Sequence, residues 1–168
     1  MILKIKLIYP ASYLKHKNHY LLFSNANIIY KYLPEIEFIL TLDSHDFNKV
    51  PDNIKCIGRL SRNEVLENLI VSDALLFLSS FESLGIPLIE AAKLSKPIIV
   101  PKLPYSLELI GENAYYFDMG NNFLNSFLDT LFLFIKDLKK NNVKKSVIIP
   151  EIISTDSLMK IFIKKLND

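Results

Sequence analysis

Short apolar runs alternate with segments of helical periodicity along most of this chain. The apolar runs predict strands at 3–9, 36–42, 54–57, 74–78, 97–100 and 114–117. Helical spacing and helix start signals predict helices at 18–33, 61–71, 85–94, 106–110 and 121–139, and a terminal helix near 155–166. Strands that alternate with helices build a parallel sheet with helices on both faces and right-handed crossovers. The expected fold class is therefore α/β, with a Rossmann-like parallel sheet.

Local signals support this arrangement and indicate where a ligand would bind. Run 74–78 shows no polar alternation, as expected for a strand that is buried on both faces. Ser61 and Glu64 have the spacing of a helix capping box, and Pro87 suits the first position of a helix. In an open parallel sheet, ligands bind beyond the carboxyl ends of the strands. The loops expected at that edge are 10–18, 58–61, 79–86 and 101–106.

Size and charge narrow the classes of function. The chain has 168 residues, and half of them are apolar, which suits one domain with a substantial core. Its net charge of +2 lacks the strong positive charge that is typical of nucleic-acid-binding domains, so no nucleic-acid partner is expected. A dinucleotide dehydrogenase is disfavoured because no G-x-G-x-x-G follows the first strand. A response-regulator receiver is also disfavoured, because it needs an acidic cluster at the strand ends.

A cytoplasmic location is expected from several sequence features. The single Cys56 cannot form an internal disulfide, which fits a reducing compartment. No signal peptide is visible, and the longest apolar candidate, 123–135, is interrupted by polar residues. Lysine pairs at 139–140, 144–145 and 164–165 would suit anionic lipid at the inner face of a membrane. Such pairs are more often solvated helix ends, so membrane contact has little support.

The segment 81–92 carries the chemistry. It leads from a loop into a helix, whose first turn presents free N–H groups and the positive end of the dipole to a phosphate. Gly85 permits a close backbone approach. Glu82 and Glu90 lie on either side of Gly85, and a carboxylate accepts hydrogen bonds from sugar hydroxyls at about 1.5–3 kcal/mol each. Taken singly, Glu82 is better explained as a solvated loop residue and Glu90 as a dipole-complementing helix residue; the combination with Gly85, Pro87 and the preceding strand favours a ligand site.

This segment resembles the E-x7-E motif of family 4 glycosyltransferases, which are retaining enzymes of the GT-B fold, because seven residues separate Glu82 from Glu90. The resemblance extends over roughly the first 120 residues. It includes the segments 9–12, 16–19, 54–58, 72–74, 97–100, 103–108 and 110–114.

The resemblance implies roles for the residues around the motif. Glu82 would hold hydroxyls of the donor sugar, and Glu90 would hold the ribose hydroxyls. Backbone N–H groups around Leu84, Gly85 and Ile86 would face the sugar and the diphosphate.

Lys17 would neutralise the diphosphate and assist departure of the nucleoside diphosphate, an electrostatic role that needs no metal. Gly58 and Arg59 would border the base. For Arg59, an ordinary surface role is the favoured explanation. For Lys17, without the resemblance, an ordinary surface role and a ligand-binding role are equally good explanations. Ser12 stands where many family members carry an arginine as a second phosphate cation. Lys15 or Arg59 could substitute for that missing charge. No metal and no cofactor are implied; the nucleotide-diphosphate sugar is the donor substrate.

A GT-B enzyme has two Rossmann-like domains, and the resemblance covers the C-terminal, donor-binding one. Residues 1–168 are therefore expected to form a single nucleotide-sugar-binding domain, with the N-terminal acceptor domain absent. The expected reaction is retaining hexosyl transfer to a saccharide or lipid-linked acceptor, in glycan or cell-surface polysaccharide synthesis. The isolated chain is expected to bind a nucleoside diphosphate weakly and to transfer sugar poorly, and a separate chain could supply the other domain.

Two alternatives stay open from the sequence. One is a non-catalytic nucleotide-sugar-binding module, or a remnant that needs a partner chain. The other is a different GT-B enzyme, such as a sugar-nucleotide epimerase or a phosphorylase, although the motif spacing favours transfer to an acceptor.

Overall fold

The computed structural model describes residues 3–146, which form six strands and five helices joined by short loops. The strands are β1 (Ile5–Tyr9), β2 (Ile36–Leu40), β3 (Ile54–Cys56), β4 (Ala74–Leu76), β5 (Ile98–Pro101) and β6 (Tyr115–Phe117). The helices are α1 (His19–Tyr32), α2 (Arg62–Val71), α3 (Ile86–Lys93), α4 (Pro104–Ile110) and α5 (Phe123–Lys139).

All six strands belong to one parallel sheet, in the order β3-β2-β1-β4-β5-β6. β1 pairs with β2 over its whole length. Its pairing with β4 is short: Leu7 lies opposite Ala74, and Ile8 lies opposite Leu75. The first half of the chain builds the sheet outward on one side of β1, and the second half builds it on the other. Right-handed crossovers therefore place the helices of the two halves on opposite faces, which confirms the predicted Rossmann-like architecture.

The sheet is held by burial of its apolar strands. Most strand residues are buried, including all of β4 and β5, which confirms the two-sided burial predicted for 74–78. The ladder to β1 nevertheless ends at Leu75 and the ladder to β5 at Leu76, so β4 is shorter than the apolar run. Phe77 still donates to the Ile99 carbonyl at 2.9 Å, and Leu78 is fully buried. Burial thus continues beyond the paired strand, which is why apolar sequence alone overestimates its length.

Helix starts follow local capping chemistry. The capping box of α2 is confirmed: the Ser61 hydroxyl accepts from the Glu64 N–H, and the Glu64 carboxylate accepts from the Ser61 N–H. The starts of α3 and α4 differ from the predictions for identifiable reasons. Pro87 is the second residue of α3 rather than the first, because Gly85 serves as the cap. α4 begins at Pro104, whose missing N–H costs nothing at a first helical position.

α5 supplies much of the aromatic core. The Phe127 ring packs 5.1 Å from the Phe117 ring of β6 and 6.4 Å from the Phe38 ring of β2. The helix therefore crosses the sheet face between distant strands. The predicted helix near 155–166 and the lysine pair at 164–165 lie outside the described residues. Between residues 3 and 146, no helix is long and apolar enough to cross a membrane.

Candidate functional site

The candidate site lies where β1 and β4 end side by side. The loop after β1 forms a 3-10 turn, Lys15–Lys17, and ends at Asn18 in a left-handed conformation (φ 53°). The Asn18 amide donates to the Leu78 carbonyl at 2.8 Å, and the Ser80 N–H donates to the His16 carbonyl at 2.9 Å. Two of the four loops expected at this edge are thus tied together. Asn18, predicted inside a helix, instead anchors the turn.

These bonds bring Lys17 and Glu82 into contact. The Lys17 ammonium and the Glu82 carboxylate form an ion pair, with side chains only 15% and 14% exposed. The ammonium also lies 5.6 Å from the centre of the Phe77 ring. The sequence singled out both residues for a ligand, and the structure joins them to each other across 65 positions. In this state, each charge compensates the other.

A buried polar network supports this ion pair from below. The Tyr9 phenol donates to the Lys17 carbonyl at 2.8 Å and lies 3.3 Å from the Ser79 hydroxyl. The Tyr105 phenol donates to the Ser79 carbonyl at 2.6 Å. Burial raises the pKa of Tyr9 and of Tyr105 far above the usual range, and the charge of Glu82 adds to both shifts. Both phenols therefore stay protonated and act as donors that fix the two loops.

His19 extends the network on the side of α1. Its ring stacks on Tyr9 at 4.7 Å and is 1% exposed. Burial lowers the pKa of His19 to about 4, the charge of Lys17 adds to this effect, and the Ala11 carbonyl opposes it. Among the described residues, neither ring nitrogen has a hydrogen-bond partner of normal geometry. His19 is therefore a neutral packing group beside the site.

Gly85 leads into the motif helix, as the sequence predicts, and α3 itself begins at Ile86. Gly85 is the cap of α3 in a left-handed conformation (φ 58°). A β-carbon there would lie 2.7 Å from Leu109 Cδ1, the end of a side chain that must shift to admit it, and the left-handed backbone itself favours glycine. Leu84 is half-buried, and Ile86 is 49% exposed. The N–H of Ile86 has no acceptor within its own helix, because it lies in the first turn. It is therefore a candidate hydrogen-bond donor to a phosphate oxygen.

Glu90 lies on α3 just beyond the first turn and is buried. Its carboxylate accepts a 2.9 Å hydrogen bond from Nε of Arg62, the first residue of α2. Both side chains border a cavity of about 240 Å³, which is lined by Pro10, Arg62, Val65, Ile86, Pro87 and Glu90. Sequence patterns do not single out Arg62. The sequence did contain one signal for it: Arg62 is a cation in the first turn of a predicted helix, where the helix dipole disfavours positive charge.

A second cavity, of about 320 Å³, opens at the ends of β1, β2 and β3. It is lined by Ser12, Tyr13, Thr41, Leu42, Asp43, Arg59 and Leu60. Gly58 turns the chain at its edge with a φ of 80°, and its N–H donates to the Leu42 carbonyl at 2.9 Å. The structure thus brings Ser12 and Arg59 to the wall of one cavity. Asp43 joins them, although the sequence patterns do not single it out.

The site residues fall into three groups. Glu90 and Ile86 border one cavity, and Ser12 and Arg59 border another. Lys17 and Glu82 border neither of these two cavities and instead pair with each other. No group of three or more His, Cys, Asp or Glu side chains in the same range could hold a metal ion.

The family model of the glycosyl transferases group 1 matches residues 4–141. The chain belongs to this family. The match covers all six strands and the five helices of the described residues. No curated protein matches the chain in sequence.

Solved GT-B structures have the same fold. The catalytic domain of cholesterol-alpha-glucosyltransferase from Helicobacter pylori matches with a TM-score of 0.66 at 16% identity, over 97% of this chain and 98% of that one. Anabaena HepE in complex with UDP-glucose matches with a TM-score of 0.65 at 16% identity, over 83% of this chain and 41% of that one. S. aureus TarM in complex with Fondaparinux, alpha-GlcNAc-glycerol and UDP matches with a TM-score of 0.65 at 18% identity, over 98% of this chain. The chain spans 35% of the TarM chain. At these identities, the likeness shows the fold.

Proposed function

We propose that this chain is the donor-binding domain of a metal-independent glycosyltransferase. It binds a nucleotide-diphosphate sugar and serves retaining transfer of a hexosyl group. The acceptor is a saccharide or a lipid-linked saccharide, as in glycan or cell-surface polysaccharide synthesis. The second domain, which completes the acceptor side, lies on this or another chain. The proposed location is the cytoplasm, including the inner face of the membrane.

The ion pair between Lys17 and Glu82 carries this proposal. A lysine and a glutamate from two separate loops meet at the carboxyl edge of the sheet, both mostly buried. Such a charged pair is costly to bury, and a hydrophobic pair would serve stability equally well. A functional demand for both charges accounts for their retention. In the donor complex, Glu82 accepts hydrogen bonds from sugar hydroxyls, and Lys17 turns to the diphosphate.

Lys17 then supports the chemical step. The bond between the anomeric carbon and the diphosphate oxygen breaks, and its electron pair stays on that oxygen. An ammonium at this position stabilises the developing charge in a site shielded from water. The acceptor hydroxyl forms the new bond on the same face of the sugar and gives its proton to the departing diphosphate.

The surrounding residues complete the donor site in this proposal. Gly85 allows the backbone N–H groups around Leu84 and Ile86 to approach the diphosphate. Glu90 accepts hydrogen bonds from the ribose and borders a cavity at the start of α3. The larger cavity, with Ser12 and Arg59 at its wall and Gly58 at its edge, receives the base. UDP and UDP-glucose are bound in two of the structural relatives, which supports a nucleotide donor.

Calorimetric titration of the full chain with UDP and GDP tests the binding step. Wild-type protein is expected to bind at least one of them, and Glu90→Gln to weaken that binding about 10-fold or more, since a charge-assisted hydrogen bond is lost. Glu67→Gln, on the exposed side of α2, is the matched control and should bind like the wild type. Absence of binding to either nucleotide, or equal binding by Glu90→Gln, would contradict the proposal.

Transfer activity separates the enzyme from a binding module. The chain is combined with a chain that carries the acceptor domain and is supplied with a radiolabelled nucleotide sugar. Product formation that disappears in Lys17→Met identifies an enzyme. Donor binding without product in that complete assembly identifies a non-catalytic nucleotide-sugar-binding module.

A further inference from the structure

We propose that Arg62 is the second phosphate-binding cation of the donor site, in place of the charge that Ser12 cannot supply. The inference rests on the proposed function and adds a residue that the motif does not include. It assigns the diphosphate, rather than the base or the sugar, as the group that Arg62 recognises.

The contact between Arg62 and Glu90 leaves the guanidinium available to a ligand. Nε of Arg62 donates to Oε1 of Glu90 at 2.9 Å. The Arg62 side chain is 77% exposed, whereas the Glu90 side chain is only 10% exposed. The guanidinium carries its other N–H donors on the two terminal nitrogens, in a planar fork that suits phosphate oxygens. Glu90 therefore orients the group while its outer edge stays free for an anion.

The position of Arg62 matches where a diphosphate would bind. Arg62 borders the same cavity as Ile86 and Pro87, the first residues of α3. The start of that helix attracts an anion through its free N–H groups and its dipole. Arg62 therefore places a guanidinium group beside a helix start that already favours phosphate.

Helix stability does not account for an arginine at this position. Arg62 is the first residue of α2, where the positive end of the dipole disfavours a cation. An ion pair with one well-exposed partner contributes little to stability. Recognition of an anion accounts for the charge.

Arg62 also removes a repulsion. A buried, uncompensated Glu90 carboxylate beside the first turn of α3 would oppose a diphosphate there. Of the other cations that the sequence offers, Arg59 borders the larger cavity, and Lys15 borders one of about 300 Å³ with Tyr13 and His19. Arg62 is the cation that shares a cavity with both Glu90 and the start of α3.

The test compares nucleoside diphosphates with their nucleosides. The full chain is titrated with UDP and uridine, and with GDP and guanosine, as wild type, Arg62→Gln and Arg62→Lys. Arg62→Gln is expected to weaken diphosphate binding about 10-fold or more and nucleoside binding less than about 2-fold. Arg62→Lys keeps the charge and should recover part of the loss. Lys93→Gln, which removes an exposed charge at the far end of α3, is the matched control.

Each other outcome overturns the inference. Equal diphosphate affinity in the wild type and Arg62→Gln rules out a phosphate contact, while the proposed function stands. An equal loss for nucleoside and diphosphate means that Arg62 only positions Glu90 at the ribose. If the wild type binds none of the four compounds, the proposed function fails, and the inference fails with it. Circular dichroism confirms that each variant is folded.

Discussion

The phenol of Tyr9 donates a 2.8 Å hydrogen bond to the main-chain carbonyl of Lys17. The phenol oxygen of Tyr9 also lies 3.3 Å from the hydroxyl of Ser79, three residues before Glu82. One buried side chain of β1 thus holds both loops that carry the ion pair. This phenol, the amide of Asn18 and the main-chain bond between Ser80 and His16 together hold the lysine near the glutamate.

Replacing Tyr9 with phenylalanine should loosen both loops without disturbing the core. The ring still stacks on His19 and packs against Phe77, so only the hydroxyl contacts are lost. The free energy of unfolding should fall by about 1–2 kcal/mol, since buried polar groups lose their partner. Urea unfolding measures this loss. Tyr20→Phe, whose side chain is exposed, should change stability little, and an equal loss in both variants would contradict the role of the Tyr9 hydroxyl.

The ion pair between Lys17 and Glu82 should show strong energetic coupling. Lys17→Met or Glu82→Gln leaves a mostly buried partner uncompensated, so each should lower the free energy of unfolding by about 1–3 kcal/mol. The double variant should lose clearly less than the sum. Lys139 and Glu35, 3.6 Å apart with the lysine 69% exposed, form a matched pair whose double variant should be additive. Additive losses at Lys17 and Glu82 would contradict a buried, mutually compensating pair.

Gly85→Ala should destabilise the start of α3. The substitution places a β-carbon 2.7 Å from Leu109 Cδ1 and adds strain at a φ of 58°. We expect a loss of about 2 kcal/mol in thermal or urea unfolding. Removing the clash with Leu109→Ala should make the double variant less unstable than the two single losses predict. Full additivity would show that backbone strain alone, and not the leucine contact, requires glycine.

His19 should make stability depend on pH below neutrality. Burial holds its pKa near 4 in the folded chain, against 6.5 for an ordinary histidine, so the unfolded chain binds the proton more readily. This contribution to stability is complete above about pH 6.5 and is lost as the pH falls toward 4, by up to roughly 3 kcal/mol. Urea unfolding at pH 7 and pH 5 should show a smaller decline in His19→Phe than in the wild type. His45→Gln should retain the wild-type decline, and an unchanged decline in His19→Phe would exclude His19 as its source.

Most of the fold could be predicted from sequence because the strands are both apolar and short. All six strands and the five helices among the described residues are confirmed, and the capping box of α2 is present in full. The element ends were less predictable. Burial of Phe77 and Leu78 extends past the β4 ladder, and Asn18 adopts a left-handed turn that helical periodicity does not register.

The candidate site was predictable in position and less so in pairing. The loops that follow β1 and β4 were expected at one edge of the sheet, and they meet there. Partners such as Glu90 and Arg62 lie 28 residues apart on different helices, so no local pattern joins them. The pairing of each carboxylate with its cation depends on how far the side chains extend between neighbouring elements. Residue spacing in the sequence does not give this distance.

The short ladder between β1 and β4 has a mechanical consequence. The main-chain ladder stops at Ile8 and Leu75, and beyond that point the gap is spanned by the side chains of Tyr9 and Asn18 and by one main-chain hydrogen bond, from the Ser80 N–H to the His16 carbonyl. The two halves of the sheet can therefore separate slightly at the carboxyl ends of β1 and β4 while the hydrogen bonds of the β1–β4 ladder stay intact. Adjustment around an incoming molecule would strain a few polar tethers and leave the scaffold beneath them intact.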